Sequence, residues 1–425
     1  MHIISGEILH CRWKNSKLEL DHVKDGAFAI DKAGIICAKA SLGSLKTQYP
    51  EASLIDYSGK LILPGFLDTH IHFPQMDMIG QMAPSLLPWL QQYTFPTEIS
   101  FHRSRHLITK AAHHFVDELL NHGTTLACVY SSSHMEVTDA LFEVFAERGL
   151  RGIIGKTSMD RHAPAPLLVP EQQDLLEQIT LLERWHGYDQ RLSLALTPRF
   201  APSCTPDLMH ELGRMHQEYP DTYIQTHYAE NTAELEWIKQ LFPKAKDYLE
   251  VYESFDLAGS RTILAHGIHV DADSLKRLAA RKILISHCPT SNLFLGSGLF
   301  DWQAMDSQAV AVGLGTDVGA GTSFSLWQTM NEAHKVAALR GCAIAPIETF
   351  AAATIKAGIA LGFDDLGCLD VGYQADFQVI DSSQRPILDR RRNSCTSSTE
   401  LLSALIHLSD DRCVESVWVK GNKIR

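Results

Sequence analysis

Read for its spacing of apolar and polar residues, the chain falls into three parts. Across residues 64–366, apolar segments of strand length alternate with stretches whose apolar residues recur every three or four positions. That is the pattern of βα units around a parallel sheet. Eight segments of strand length can be counted: Phe66–His72, Thr124–Val129, Gly152–Lys156, Leu192–Thr197, Tyr223–Thr226, Thr262–Ala265, Ile283–Ser286 and Ala309–Leu314. Eight repeats predict a closed (β/α)8 barrel, an α/β fold whose chemistry sits at the C-terminal ends of the strands. The last four segments all run into polar turns containing histidine or aspartate.

The flanking parts, 1–63 and 367–425, read as short β segments broken by turns. At the start these are Ile3–Cys11, Gly26–Asp31 and Ile35–Ala38, with Asp31-Lys32-Ala33-Gly34 supplying turn chemistry. At the end, Asp376–Ile380 and Ser416–Lys420 alternate apolar and polar residues, and Val419-Lys420-Gly421-Asn422-Lys423 closes the chain in a hairpin-like turn. One small β-sandwich domain built from both termini is expected.

Composition narrows the class of protein. With 425 residues, 45% of them hydrophobic, the chain can bury a large core. Nine cysteines are scattered without a C-x-x-C pair, which fits a reducing cytoplasm. The opening Met1-His2-Ile3-Ile4-Ser5-Gly6-Glu7 has neither a basic nor an apolar leader region, and no apolar run reaches the ~18 residues that span a bilayer. No membrane role is expected. A formal charge of −12 repels phosphate backbones, so a free base or nucleoside suits the chain better than a nucleic acid. The densest basic cluster, Arg385 to Arg392, is expected to lie in a loop as solvated surface.

The candidate chemistry gathers at strand ends. Pro64-Gly65-Phe66-Leu67-Asp68-Thr69-His70-Ile71-His72 ends a strand with histidines at i and i+2, which a pleated strand projects from one face. An isolated H-x-H pair is weak evidence. It gains weight because His227 closes the fifth segment and Asp317 follows the eighth. Three neutral imidazoles and a carboxylate suit one Zn²⁺ per chain with a position left for water, and Fe²⁺ accepts the same donors. A metal-bound water titrates near pH 7, so hydroxide is available as nucleophile. Asp317 is then placed to accept the water proton, Glu230 to protonate a ring nitrogen, and His266 to hold the hydroxide and polarise the carbon under attack. The alternative reading of Glu230 is a carboxylate serving the N-terminus of a helix. Between His266 and His269, position favours His266, which directly follows its strand.

Three other motifs do not hold up. Ser133-His134-Met135-Glu136 is half of the cytidine-deaminase zinc signature, but no P-C-x-x-C accompanies it. Gly149 to Thr157 has one residue too many for a phosphate loop. Gly313-Leu314-Gly315 lacks the third glycine at dinucleotide-binding spacing, because the next comes at 319.

Taken together, Pro64-Gly65, Asp68-Thr69-His70-Ile71-His72, His227, His266 and Thr316-Asp317 resemble the amidohydrolase superfamily over essentially the whole chain, down to Gly367–Asp376 as the return from barrel to β domain. Many members hold two metals bridged by a modified lysine after the fourth strand. Here Leu192–Arg199 has no lysine, so the resemblance implies a single metal; Lys156 ends the third segment instead, and a miscounted strand would make it the bridge of a binuclear site. Within the superfamily, Leu87–Glu98, Thr197–Cys204, His72-Phe73-Pro74-Gln75, Gly155–Asp160 and His287–Asn292 resemble the members that deaminate guanine.

That resemblance implies attack of a zinc-activated hydroxide on C2 of guanine, with Glu230 passing a proton to N3 and ammonia and xanthine leaving. It also implies that Gln75 and Arg199 bind the polar edges of the purine, that Phe200 packs against it, and that the chain forms a homodimer. The residue types fit such a ligand, which needs a fixed donor, an amide and aromatic walls. Trp89, Tyr93 and Phe95 are candidate wall residues. A deaminase or chlorohydrolase acting on another heterocycle, such as a pterin, triazine, cytosine or adenosine derivative, is the alternative. A catalytically silent binding protein is the more distant one. The long segment Phe73–Ser100 is the candidate lid.

Overall fold

In the computed structural model, which describes residues 1–101 and 104–425, eight parallel strands pair in chain order. They are β1 (Phe66–His72), β2 (Thr124–Tyr130), β3 (Arg151–Gly155), β4 (Leu192–Pro198), β5 (Tyr223–Tyr228), β6 (Thr262–His266), β7 (Leu284–His287) and β8 (Ala311–Leu314). Every segment expected from the apolar pattern becomes one of these strands. All residues of β1 and β2 are buried, as required of a parallel strand covered on both faces. The ends shift by a residue or two. Lys156 falls just beyond β3, and Ala309 adopts a left-handed conformation, φ +56°, in the turn before β8.

The ends of this sheet, β1 and β8, meet across a seam that is held just beyond β8. There the backbone N–H and the hydroxyl of Thr316 donate to the Asp68 carboxylate at 3.1 and 2.5 Å. Asp317 N–H donates to the carbonyl of His70 at 2.9 Å, and His72 N–H to that of Val318 at 3.0 Å. The approach is close enough to exclude side chains. A Cβ on Gly313 would lie 2.7 Å from Thr69 Cγ2, and one on Gly315 would lie 2.8 Å from His70 Cβ. Gly313-Leu314-Gly315 is thus a packing motif of the seam. Asp68 is fully buried, and burial pushes its carboxyl up to about 7 against the opposing hydrogen bonds from Thr316 and His70.

Seven strands from both termini form one continuous mixed sheet, in the order Asn422–Lys423, Val414–Val419, Phe377–Ile380, Ser53–Pro64, His2–Lys14, Lys17–Ile30, Ile36–Ala40. The first two strands of the chain are longer than the pattern predicts. They form one hairpin turned at Asn15-Ser16, both with positive φ, and residues 12–25 of it are exposed or part-exposed, which blurs the apolar alternation. Ser53–Pro64, which the pattern does not single out, joins the two ends of the chain. It pairs parallel with His2–Lys14 and antiparallel with Phe377–Ile380. Ile4, Ile8, Phe28, Ile62, Phe377 and Trp418 form part of a small separate core on this sheet.

The basic cluster differs from expectation. Pro386–Arg392 is a helix, not a loop, and it is only partly solvated: Arg385 pairs with Asp410 and Arg392 with Glu7. The next helix, Ser398–Leu408, buries Leu401, Leu402 and Leu405 in the main core. A buried ion pair links the barrel to the terminal sheet, with Arg151 Nε on β3 donating to Asp376 Oδ2 at 2.5 Å. Among the described residues, all nine cysteines are free and no helix is long and apolar enough to cross a membrane.

The seam generates a stability prediction. Thr316→Val keeps the shape but strips a buried carboxylate of its hydroxyl donor, a loss of about 1–3 kcal/mol. Thermal unfolding followed by circular dichroism is expected to show a midpoint lowered by several degrees. An unchanged midpoint would mean that the seam does not hold the barrel.

Candidate active site

Each candidate residue stands where a strand of the barrel ends. His70 and His72 leave β1 on one face, their ring centroids 4.8 Å apart. His227 lies near the end of β5, His266 closes β6, and Asp317 is brought to His70 by the seam. His266 and Asp317 have left-handed backbone, φ +76° and +52°, as does Ala229 at +49°. Non-glycine residues adopt this conformation at a cost that the surrounding structure must offset, and such residues concentrate at functional sites.

The donor atoms converge tightly. Asp317 Oδ1 is 3.1 Å from His70 Nε2 and 3.2 Å from His72 Nε2, and His72 Nε2 is 3.3 Å from His227 Nε2. Ligand atoms of His70, His227, His266 and Asp317 also lie within 4.8 Å of one another. Tetrahedral ligands bound at about 2.1 Å are separated by about 3.4 Å, so the spacing fits a single ion. Two observations show that the atoms are free to ligate. Neither ring nitrogen of buried His70, nor Nε2 of buried His266, has a hydrogen-bond partner among the described residues. His227 Nδ1 donates to the carbonyl of Arg199 at 2.6 Å, which leaves its Nε2 lone pair facing the cluster.

Electrostatics favour the same arrangement. Burial pushes His72 down to about 4, His266 to about 3 and His227 well below the usual imidazole value, so these rings are neutral at physiological pH. Burial opposes ionisation of Asp317, but His70, His72 and His266 around it hold its carboxyl well below the usual range. Glu230 moves the other way. Burial, followed by the charges of Asp317 and Glu234, raises it well above the usual carboxylate value.

Glu230 precedes its helix and does not serve it. Thr232–Leu241 is capped by Asn231 and Glu234, whose carboxylate accepts from the backbone of Glu230 and Asn231. The Glu230 side chain instead accepts from Ser297 Oγ at 2.9 Å and faces His266 Nε2 at 3.4 Å. His269 is turned away, its Nε2 2.9 Å from the Ser297 carbonyl.

Beside this cluster lies a cavity lined in part by Gln75, Trp89, Arg199, Phe200, Glu230 and His266. Of the candidate wall residues, Trp89 lines it. Phe95 lies by the Arg199 guanidinium, 5.6 Å from ring centroid to Cζ, and Tyr93 packs against the adjoining apolar cluster. Lys156 is engaged elsewhere, paired with Asp174 and with Glu177 at 3.1 Å.

Sequence reasoning missed several residues here. Glu98 closes the distinctive stretch Leu87–Glu98 and is buried against Arg199, yet a glutamate in a helical segment gives no sign of burial on its own. Asn292, 2.9 Å from His266 Nδ1, closes the distinctive stretch His287–Asn292 without any sign of its role, and Ser297 comes from a segment whose polar composition is that of an ordinary surface turn.

Comparison with known proteins agrees with this geometry. The Amidohydrolase family model matches residues 61–424. Guanine deaminase of Escherichia coli (strain K12) is 41% identical over 381 residues, covering 89% of this chain and 86% of that protein. That of Dictyostelium discoideum is 35% identical over 387 residues, covering 88% and 85%. Among solved structures, E. coli guanine deaminase superposes with a TM-score of 0.96 at 38% identity, covering 100% of this chain and 99% of that one. Guanine deaminase from C. acetobutylicum, solved with guanine in its active site, gives 0.93 at 29% identity with both chains fully covered. With its barrel, its histidine and aspartate cluster and these relatives, the chain belongs to the amidohydrolase family.

Proposed function

We propose that this protein deaminates guanine hydrolytically to xanthine and ammonia, using one divalent metal held by His70, His72, His227 and Asp317. The observation that carries the reading is a single cavity lined by members of a metal-type donor cluster, by the buried carboxyl of Glu230 and by the polar side chains of Gln75 and Arg199. The guanine deaminase relatives, one of them solved with guanine bound, support the choice of substrate. Zinc suits the three-imidazole, one-carboxylate donor set, and Fe²⁺ is the other candidate.

A metal in this cluster would supply a water acidic enough to serve as hydroxide near neutral pH. The remaining steps belong to the chain. Gln75 and Arg199 hold the purine by its polar edge, with Phe200 and Trp89 as walls. Glu230, whose hold on a proton burial strengthens and which accepts from Ser297, delivers a proton to N3 as C2 becomes tetrahedral. Asp317, ionised among the imidazoles, accepts the proton of the attacking water, and His266 hydrogen-bonds the oxygen that forms on C2. The proton taken up by Asp317 then passes to the C2 amine, which leaves as ammonia while the C2 hydroxyl becomes a carbonyl and its proton returns to Glu230. Lys156, tied to Asp174 and Glu177, is not available to bridge a second metal.

Purified zinc-loaded protein offered guanine, adenine, cytosine and a pterin in parallel should release ammonia from guanine alone. Turnover of another heterocycle in place of guanine would keep the metal chemistry and overturn the roles given to Gln75 and Arg199. Glu230→Gln, which cannot pass a proton, should lower kcat by about 10²- to 10⁴-fold while keeping the metal. Because the acid form is the active one, wild-type kcat should fall as pH rises through the elevated pKa of Glu230. Elemental analysis should find one metal per chain, lost in His70→Ala and retained in Lys156→Met. Two metals in the wild type, reduced to one in Lys156→Met, would contradict the single-metal site.

A further inference from the structure

Glu98 has no part in the chemistry above, yet it is buried, 2% exposed on the helix Phe95–Phe101, behind Gln75 and Arg199, which line the substrate cavity. Arg199 Nη1 donates to both of its carboxylate oxygens, at 2.8 and 2.7 Å. Gln75 Nε2 donates to Oε1 at 2.9 Å. At the other side of the Gln75 amide, Gly319 N–H donates to Oε1 at 3.3 Å. Glutamine and arginine thus reach the cavity already tied to a common carboxylate.

We propose that Glu98 is a positioning residue that fixes the hydrogen-bond polarity of the substrate edge, so that the cavity reads a 6-oxo purine and rejects a 6-amino one. An amide taken alone is ambivalent, because turning it over exchanges a donor for an acceptor. Here the ambiguity is removed. Turned over, Gln75 would set its carbonyl oxygen against the Glu98 carboxylate and its NH₂ against the Gly319 N–H, losing both bonds in a buried place. Glu98 also takes only Nη1 of Arg199. Among the described residues, Nε and Nη2 of Arg199 have no protein acceptor, and Gln75 Nε2 has no acceptor besides Glu98. What this edge has left to offer a ligand is therefore N–H groups.

A purine with oxygen at position 6 presents two acceptors, O6 and N7, to such an edge. One with a 6-amino group places a donor against donors. The amine removed from C2 is the same in guanine and in 2,6-diaminopurine, so the discrimination lies in this edge and not in the leaving group. The inference rests on the guanine reading for what is turned over, whereas the polarity of the edge can be tested by binding alone.

The experiment compares wild type with Glu98→Gln, which keeps the size of the side chain but places an NH₂ where an acceptor stood and frees Gln75 to turn. Two ratios are measured on zinc-loaded protein: kcat/KM for guanine over 2,6-diaminopurine, and affinity for hypoxanthine over adenine by calorimetry. Neither of the latter pair carries a C2 amine. Wild type should favour the 6-oxo compound by about a thousandfold or more in turnover, since a site built to bond a polar group rejects an analogue that leaves it unpaired. Glu98→Gln should narrow both ratios by at least about tenfold, with the loss on guanine in KM more than in kcat. Equal losses on both members of each pair, leaving the ratios unchanged, would mean that Glu98 only supports the fold and would overturn the proposal. A wild type that prefers hypoxanthine to adenine yet releases no ammonia from guanine would refute the functional reading while upholding the edge. If Glu98→Gln does not fold, as judged by its melting curve, Gln75→Met removes the amide while leaving the ion pair of Arg199, and must narrow the same ratios.

Discussion

The hydrogen bonds from Thr316 to the buried carboxylate of Asp68 are the interaction on which the site depends. β8 has only four residues, and the sheet does not close by a regular ladder from it to β1. Closure comes one step later, where Thr316 fastens to Asp68 and Asp317 N–H to the carbonyl of His70. The same contacts that shut the barrel place the Asp317 carboxylate 3.1 Å from His70 Nε2. Fold and candidate metal centre are therefore one construction, and the glycines at 313 and 315 are the steric condition for it.

Burial then sorts the ionisable groups around that seam into roles. Removed from water, an imidazole gives up its proton more readily and a carboxyl holds one more tightly, so burial lowers His72, His227 and His266 and raises Glu230. Asp317 escapes this rule because imidazoles surround it. Two carboxylates in one cavity thus diverge, Glu230 pushed up and Asp317 held down, which is the divergence that the proposed transfer of a proton from water to a ring nitrogen uses.

Much of this architecture is legible in the order of the residues. Strands buried on both faces are written as uninterrupted apolar runs, which is why the apolar pattern locates the eight barrel strands to within a residue or two. The pleat explains why His70 and His72 point together, and the barrel rule explains why His227, His266 and Asp317 should join them. The illegible parts have physical causes as well. The strand Ser53–Pro64 has much of its N-terminal half exposed and so carries little apolar signal until Leu61. The helix Pro386–Arg392 is rich in charge because it binds Glu7 and Asp410 through its flanks, and a run of arginine looks the same in a loop. Glu98 escapes a reading of sequence because its partners lie 23 and 101 residues away along the chain.

The central claim is that one metal and one purine edge are held by residues which the closing barrel brings together. It is tested most directly by a crystal structure of the zinc-loaded protein with xanthine, recorded with anomalous data at the zinc edge. One anomalous peak per chain is expected, about 2.1 Å from nitrogens of His70, His72 and His227, with the 6-oxygen of xanthine against Arg199 and Gln75. A peak at other ligands, a second peak beside Lys156, or a purine seated with its 6-oxygen away from Arg199 would contradict it.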